Sequence, residues 1–176
     1  MGSQQKEQRV GIFVDVQNMY YSAKNLYNRK VNFGEILKEA VKLRKLIRAI
    51  AYVIRADVMA EQSFFDALSA IGYEVKAKDL QTFVGGQKKG DWDVGIAMDA
   101  IELAPRLDTV ILVSGDGDFI PLVQHLKRAM GCRVEVMAFS KSASSKLQEE
   151  ADLFTDLDSS KKFLITDTRK TYKERP

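Results

Sequence analysis

One cysteine, Cys132, and one histidine, His125, occur among the 176 residues. A single thiol excludes an intrachain disulfide, which suits a cytoplasmic protein. One Cys and one His also exclude a zinc finger or a histidine-rich metal centre built by one chain. Any metal must then be held mostly by oxygen, which points to magnesium, manganese or calcium. No apolar run approaches the roughly 20 residues that cross a bilayer, so no membrane association is expected. The stretch from Met1 to Gln8 is polar and lacks the apolar core of a signal peptide. Charge of one sign is not in large excess either: the net charge of +3 permits nucleic-acid binding without requiring it.

The composition, 45% hydrophobic and 29% charged, is that of a globular domain, and the length fits a single one. Arg9 to Asp15 reads RVGIFVD, a buried strand ending in an acid. Helical spacing follows over Asn18 to Asn28, where Tyr20, Tyr21, Leu26 and Tyr27 are available for packing, and over Phe33 to Arg44, with Asn32 as N-cap. Leu46 to Ile54 is a second apolar strand. Met59 to Ile71 is an amphipathic helix stopped by Gly72, and Tyr73 to Ala77 alternates like an edge strand. A Gly- and Lys-rich loop spans Phe83 to Gly90. Helix Trp92 to Leu103, strand Thr109 to Ser114, helix Asp118 to Met130, strand Arg133 to Met137 and helix Ser142 to Glu150 complete the alternation, and Phe154 begins a final extended segment.

The order βααβαβαβαβα predicts a three-layer αβα sandwich, an α/β fold with a mostly parallel central sheet. The domain is expected over residues 9–157. A basic tail, residues 158–176, carries Lys161, Lys162, Arg169, Lys170, Lys173 and Arg175 and reads as a solvated, partly disordered end.

Open parallel sheets bind ligands beyond the carboxyl ends of their strands, where strand order reverses. Asp15 stands at one such end, and Asp116 and Asp118 stand just past another in SGDGDF, Ser114 to Phe119. Each acid also has an ordinary structural job: Asp118 can cap its helix and Asp116 can close a turn that the glycines permit. Yet carboxylates gathered at a buried strand exit raise one another's pKa unless a cation intervenes. Asp93 is the functional choice over Asp91, one of the two being needed to cap the helix. Asp99 lies six residues on, about 120° round and roughly 9 Å along the helix, placing it as a supporting residue that needs a partner. Asn18 can cap a helix or orient a carboxylate, and Ser114 can bond an acid. His125 reads as a surface or packing residue. Lys88 and Lys89 can meet phosphates at the rim. Acids alone suit phosphodiester hydrolysis with one or two magnesium ions, because magnesium keeps several waters and needs few protein ligands.

At DVQN (Asp15 to Asn18), KKGDWDVGIAMDA (Lys88 to Ala100) and SGDGDF the chain resembles the NYN domain, particularly its LabA-like branch. The resemblance covers about residues 9 to 150. It implies a PIN-like fold and an RNA-processing ribonuclease using Mg2+ or Mn2+, with endonucleolytic cutting favoured. It maps the catalytic and metal-binding acids onto Asp15, Asp93, Asp116 and Asp118, the later helical acid onto Asp99, and the polar partner onto Asn18. The partners implied are RNA, with single-stranded DNA as the alternative, and a second copy of the chain in a homodimer. The other reading is a non-catalytic regulator of gene expression that binds RNA or protein with the same fold. A topoisomerase-primase-type domain would want a Glu after its first strand, and an aspartyl-phosphate phosphatase an acid where Gln17 stands.

Overall fold

The computed structural model describes residues 6–56, 58–82 and 88–166. Burial sets the strand pattern. Every residue of β1 (Arg9–Asp15) after Arg9 is buried, with Val10, Ile12 and Val14 facing one core cluster and Phe13 the other. A strand buried on both faces belongs at the middle of a helix-covered parallel sheet. β2 (Lys45–Arg55), β3 (Glu74–Asp79), β6 (Thr109–Val113), β7 (Arg133–Ala138) and β8 (Leu153–Asp156) join it in the order β3-β2-β1-β6-β7-β8, all parallel. The expected edge strand is β3, and the extended segment near Phe154 is the other edge, β8. A short antiparallel pair, β4 (Gln81–Thr82) with β5 (Lys88–Lys89), stands apart from the sheet, and β5 falls inside the region read as loop.

Strand order sets where the helices go. The chain first steps outward from β1 through β2 to β3. It then returns to the other side of β1 and steps outward again. Right-handed crossovers put helices on opposite faces for the two directions. Accordingly α1 (Val16–Tyr27), α2 (Phe33–Val41) and α3 (Val58–Ile71) pack on one face, through Met19, Ile36 and Leu68 among others. α4 (Asp93–Leu103), α5 (Ile120–Arg128) and α6 (Ser145–Glu150) pack on the other, through Ile96, Val123 and Leu147. None of the described helices is long and apolar enough to cross a membrane.

Helix ends differ from the sequence reading in instructive ways. Asn32 caps α2 as expected, its side chain accepting the Glu35 N–H at 3.2 Å. α1 begins earlier than expected because Asp15, not Asn18, is its cap. Its Tyr20 and Tyr21 do not pack, being 46% and 51% exposed, while Met19 and Ala23 carry the buried face. Gly72 and Gly131 take positive φ where α3 and α5 have ended.

The boundary expected after residue 157 falls inside packed structure. Leu157, Phe163 and Leu164 are buried in the core beside α2. The Asn32 N–H donates to the Phe163 carbonyl at 2.8 Å, and Val31 bridges Leu164. Lys162 reaches Glu39 at 3.0 Å instead of standing free. Three apolar residues outweighed the lysines around them. Arg169, Lys170, Lys173 and Arg175 lie outside the described residues. Phe163→Ala should therefore destabilise the fold by about 3 kcal/mol, read as a lowered urea midpoint; a midpoint equal to the parent's would remove residues 159–165 from the core.

Candidate metal centre at the strand switch

The sheet reverses its strand order between β1 and β6, and both strands end in acidic sequence. Asp15 ends β1 and is only 8% exposed. Its Oδ1 accepts the Asn18 N–H at 3.2 Å, which opens α1. Its Oδ2 accepts the Ser114 hydroxyl, also at 3.2 Å. Ser114, fully buried, in turn accepts the Asp116 N–H through the same Oγ at 3.2 Å. The Asn18 side chain, free of capping duty, reaches across and accepts the Gly115 N–H at 2.9 Å. Two short crosslinks, Asp15–Ser114 and Asn18–Gly115, thus lock the exits of the two central strands together.

Beyond Ser114 the chain makes a 3-10 turn, Gly117–Phe119, whose cap is Asp116; one carboxylate oxygen accepts the Asp118 N–H at 2.9 Å. The glycines are not there for unusual backbone angles, since neither has positive φ. They are there for space. A Cβ on Gly115 would lie 2.9 Å from the Ala143 Cβ and 3.0 Å from its Cα, and one on Gly117 would crowd Ser144. The segment before α6 therefore lies directly on the acidic turn, and the Ser144 N–H donates to the Gly115 carbonyl at 2.9 Å.

Asp93 comes from the opposite side, at the first turn of α4. Asp91 accepts the Asp93 N–H at 3.2 Å, so Asp91 does the local capping work and Asp93 is left to face the other acids. Trp92 holds this end of α4 in place. Its Nε1–H donates to the Val53 carbonyl of β2 at 2.8 Å, and its ring packs against Tyr52 at 5.2 Å between centroids.

Oxygen atoms of Asp93, Asp116 and Asp118 lie within 4.8 Å of one another and form an acidic cluster that can hold a metal ion. Asp15 lines the same cavity, about 490 Å³ in volume, but is not one of this trio. Asp91 lines it as well. Among the described residues, no Lys, Arg or His lines it. The electrostatic consequence appears at the two less exposed acids. Burial, followed by the charges of Asp116 and Asp91, pushes the Asp15 carboxyl up to about 6 despite its two hydrogen bonds. Burial and the charges of Asp116, Asp91, Asp15 and Asp118 push Asp93 up to about 6.

Asp99 does not join them. It accepts the Tyr52 hydroxyl at 2.8 Å and pairs with Lys76 at 2.7 Å, bracing α4 against β2 and β3. The lysine is the partner that a half-buried acid needs. His125 is exposed on α5. The backbone of Lys88 and Lys89 pairs in the hairpin, but their side chains lie outside the described residues. Sequence reasoning missed the wall formed by α1: Gln17, Tyr21, Ser22 and Asn25 line the cavity, joined by Ser142. Their signal was available, since with Asn18 they recur at helical spacing on one face.

The NYN domain model matches residues 9–158. The chain belongs to the NYN domain family. The Synechococcus elongatus protein "Low amplitude and bright protein LabA" is 28% identical over 167 residues, 89% of this chain and 87% of that one. An uncharacterized protein of Methanocaldococcus jannaschii is 28% identical over 148 residues, covering 83% of this chain and 54% of its own length. A crystal structure of a Vibrio parahaemolyticus protein of unknown function superposes with a TM-score of 0.84 at 36% identity, covering 91% of this chain and 98% of that chain. This NYN domain is thus a LabA-like one, in a PIN-like nuclease superfamily, with its acids gathered at the strand switch.

The raised acids set a pH dependence. A carboxyl whose folded pKa is above its unfolded value stabilises the fold at low pH and loses that contribution as pH rises through the folded value. Acidifying the metal-free NYN domain from pH 7.5 to 5 should therefore raise its melting temperature, with Asp15 contributing on the order of 2 kcal/mol. Asp108 and Glu39 are held low by Arg9 and Lys162, so their contribution is lost only on further acidification. Asp15→Asn keeps an acceptor for the Asn18 N–H and should flatten the rise. A parent whose melting temperature falls steadily from pH 7.5 to 5 would contradict this.

Proposed function

We propose that this NYN domain is a metal-dependent ribonuclease that hydrolyses phosphodiester bonds in RNA, with endonucleolytic cutting favoured and with magnesium or manganese as its ion. The observation that carries the reading is the convergence of Asp93, Asp116 and Asp118 in a cavity that five carboxylates line among the described residues. The donor set fits the ion: all the candidate donors are carboxylate oxygens, the hard ligands these cations take. A divalent ion bound there neutralises phosphate charge and lowers the pKa of a bound water.

The chain's own residues supply the rest. Asp93, Asp116 and Asp118 hold the ion. Asp15, with both carboxylate oxygens tied, presents a fixed acceptor at the cavity floor that can orient a water toward the phosphate. Ser114 fixes Asp15 and the Asp116 backbone at once, and Asn18 fixes the turn between them. Lys88 and Lys89, from the hairpin beside Gly90, contribute phosphate contacts by their charge. An acidic cavity repels RNA until the ion is bound, so substrate binding and metal binding should be linked.

Cleavage of end-labelled single-stranded RNA with manganese, magnesium or EDTA tests the assignment. Cutting should require the metal and vanish in Asp116→Asn and in Asp15→Asn, while Asp116→Asn melts no lower than the parent without metal because a repulsion is relieved. Ser114→Ala should lose about tenfold in rate, the effect of unseating a residue that orients a ligand. Parent-like cutting by Asp116→Asn would place the site elsewhere. Metal binding without cleavage of any RNA or single-stranded DNA would favour the regulatory binding role.

A further inference from the structure

α1 leaves two aromatic rings exposed, and one of them, Tyr21, lines the cavity that holds the acids. Its buried face is spent on Val16, Met19 and Ala23, so Tyr20 and Tyr21 take no part in the core. They meet edge to face at 5.3 Å. Lys24 lies 5.7 Å over the Tyr20 ring, which occupies that ring and places a cation on the same helix. Tyr21 lies within the wall of the cavity that holds Asp15, Asp93, Asp116 and Asp118. Ser22 and Asn25 continue that wall, and the Ser22 hydroxyl is paired with the Ser142 hydroxyl at 3.0 Å. From Asn18 to Asn25 the wall runs about 10 Å along the helix axis. That is the length of about three stacked nucleotides at 3.4 Å each.

A half-exposed tyrosine alone is unremarkable on a protein surface. Here the ring shares one cavity with the acids, with hydroxyl and amide groups continuing along the helix and a lysine one turn away. This is the pairing that single-strand binders use: an aromatic face for a base, polar groups and a cation for the sugar and phosphate. A duplex offers no such contact, because its base faces are covered by their neighbours.

We propose that α1 is an RNA-binding track on which Tyr21 stacks an unpaired base next to the scissile phosphate, with Ser22 and Asn25 contacting the following nucleotide and Lys24 a phosphate. This deepens the ribonuclease reading and rests on it for the identity of the strand. Tyr21 is a specificity-determining residue: it selects unpaired over paired RNA.

The test is fluorescence anisotropy of a fluorescein-labelled oligouridylate of about 12 nucleotides, in calcium, with a matched strand carrying abasic positions at its centre. Tyr21→Ala should bind the intact strand about tenfold more weakly, and Tyr21→Phe within about twofold of the parent, because the ring and not the hydroxyl stacks. On the abasic strand the difference between parent and Tyr21→Ala should disappear. Lys24→Ala should reduce the slope of affinity against salt by about one phosphate contact. Equal binding of parent and Tyr21→Ala to the intact strand overturns the proposal, as does failure of the parent to bind it. Cleavage by the same proteins is read separately. Metal-dependent cutting with no Tyr21 effect leaves a nuclease without this subsite. Tyr21-dependent binding without cutting keeps the track and removes the ribonuclease reading.

Discussion

The carboxylate of Asp15 is the constraint on which the site depends. It ends β1, caps α1 and accepts the hydroxyl of Ser114 at the end of β6. Those three tasks join the first half of the sheet to the second at the one place where strand order reverses. A parallel sheet with a switch point has two central strands whose following chain segments depart in opposite directions, which leaves a crevice between them. Asp15 and Asn18 bridge that crevice from the α1 side, Ser114 and Gly115 from the β6 side. The turn bearing Asp116 and Asp118 is thereby held at a set distance from β1. The close approach of Ala143 to Gly115 holds it from above.

This arrangement works against stability in order to create a field. Asp15 is buried with two neutral donors, enough to keep it from being an orphan but not enough to hold its pKa at the ordinary value against burial and neighbouring acids. Two acids buried or half-buried elsewhere in the fold are paired with cations. Glu135, buried within β7, is met by Arg44 at 2.7 Å, and Asp99 by Lys76 at the same distance. The contrast is informative because desolvated charges are stable only when paired. Among the described residues, no cation pairs with any of the five acids at the strand switch. A site of negative potential enclosed by uncharged walls is one that a small, hard cation can relieve.

Much of this was legible in the sequence, and the legible parts share a cause. RVGIFVD and TVILVS are apolar runs of strand length that end abruptly in acids, and such endings can be placed on a sheet without knowing the fold in detail. The parallel architecture follows from strict alternation of elements. What was not legible depended on contacts between distant segments. Asn18 looked able to cap a helix or to orient a carboxylate, and only the proximity of Gly115 gives its side chain the partner it takes. Gly115 and Gly117 looked like turn glycines, and only the segment at Ala143 shows that they are needed for space. Tyr20 and Tyr21 looked like packing residues because helical spacing alone does not say which face meets the sheet. Met19 and Ala23 take that face. The segment after residue 157 looked like a solvated tail because charge dominates its composition, while Phe163 and Leu164 pack into the core.

Asp93 is the member of the cluster whose position is least determined by the sheet. The other acids sit on the ends of neighbouring central strands or on the turn after one. Asp93 rides on α4, a helix that follows the hairpin and is fixed to β2 at separate points. Trp92 bonds Val53 at its start, and Asp99 bonds Tyr52 and Lys76 nearly two turns on. These contacts set both the height of α4 over the sheet and its rotation about its axis. With both fixed, the residue next to Trp92 can only point toward the crevice. Asp99 therefore serves the acidic cluster from a distance. Its charge is spent on Lys76, and its effect is delivered through the orientation of the helix that carries Asp93. The two acids of one helix do different work because they leave it about 120° apart: one is neutralised so that the other can be placed where it is not.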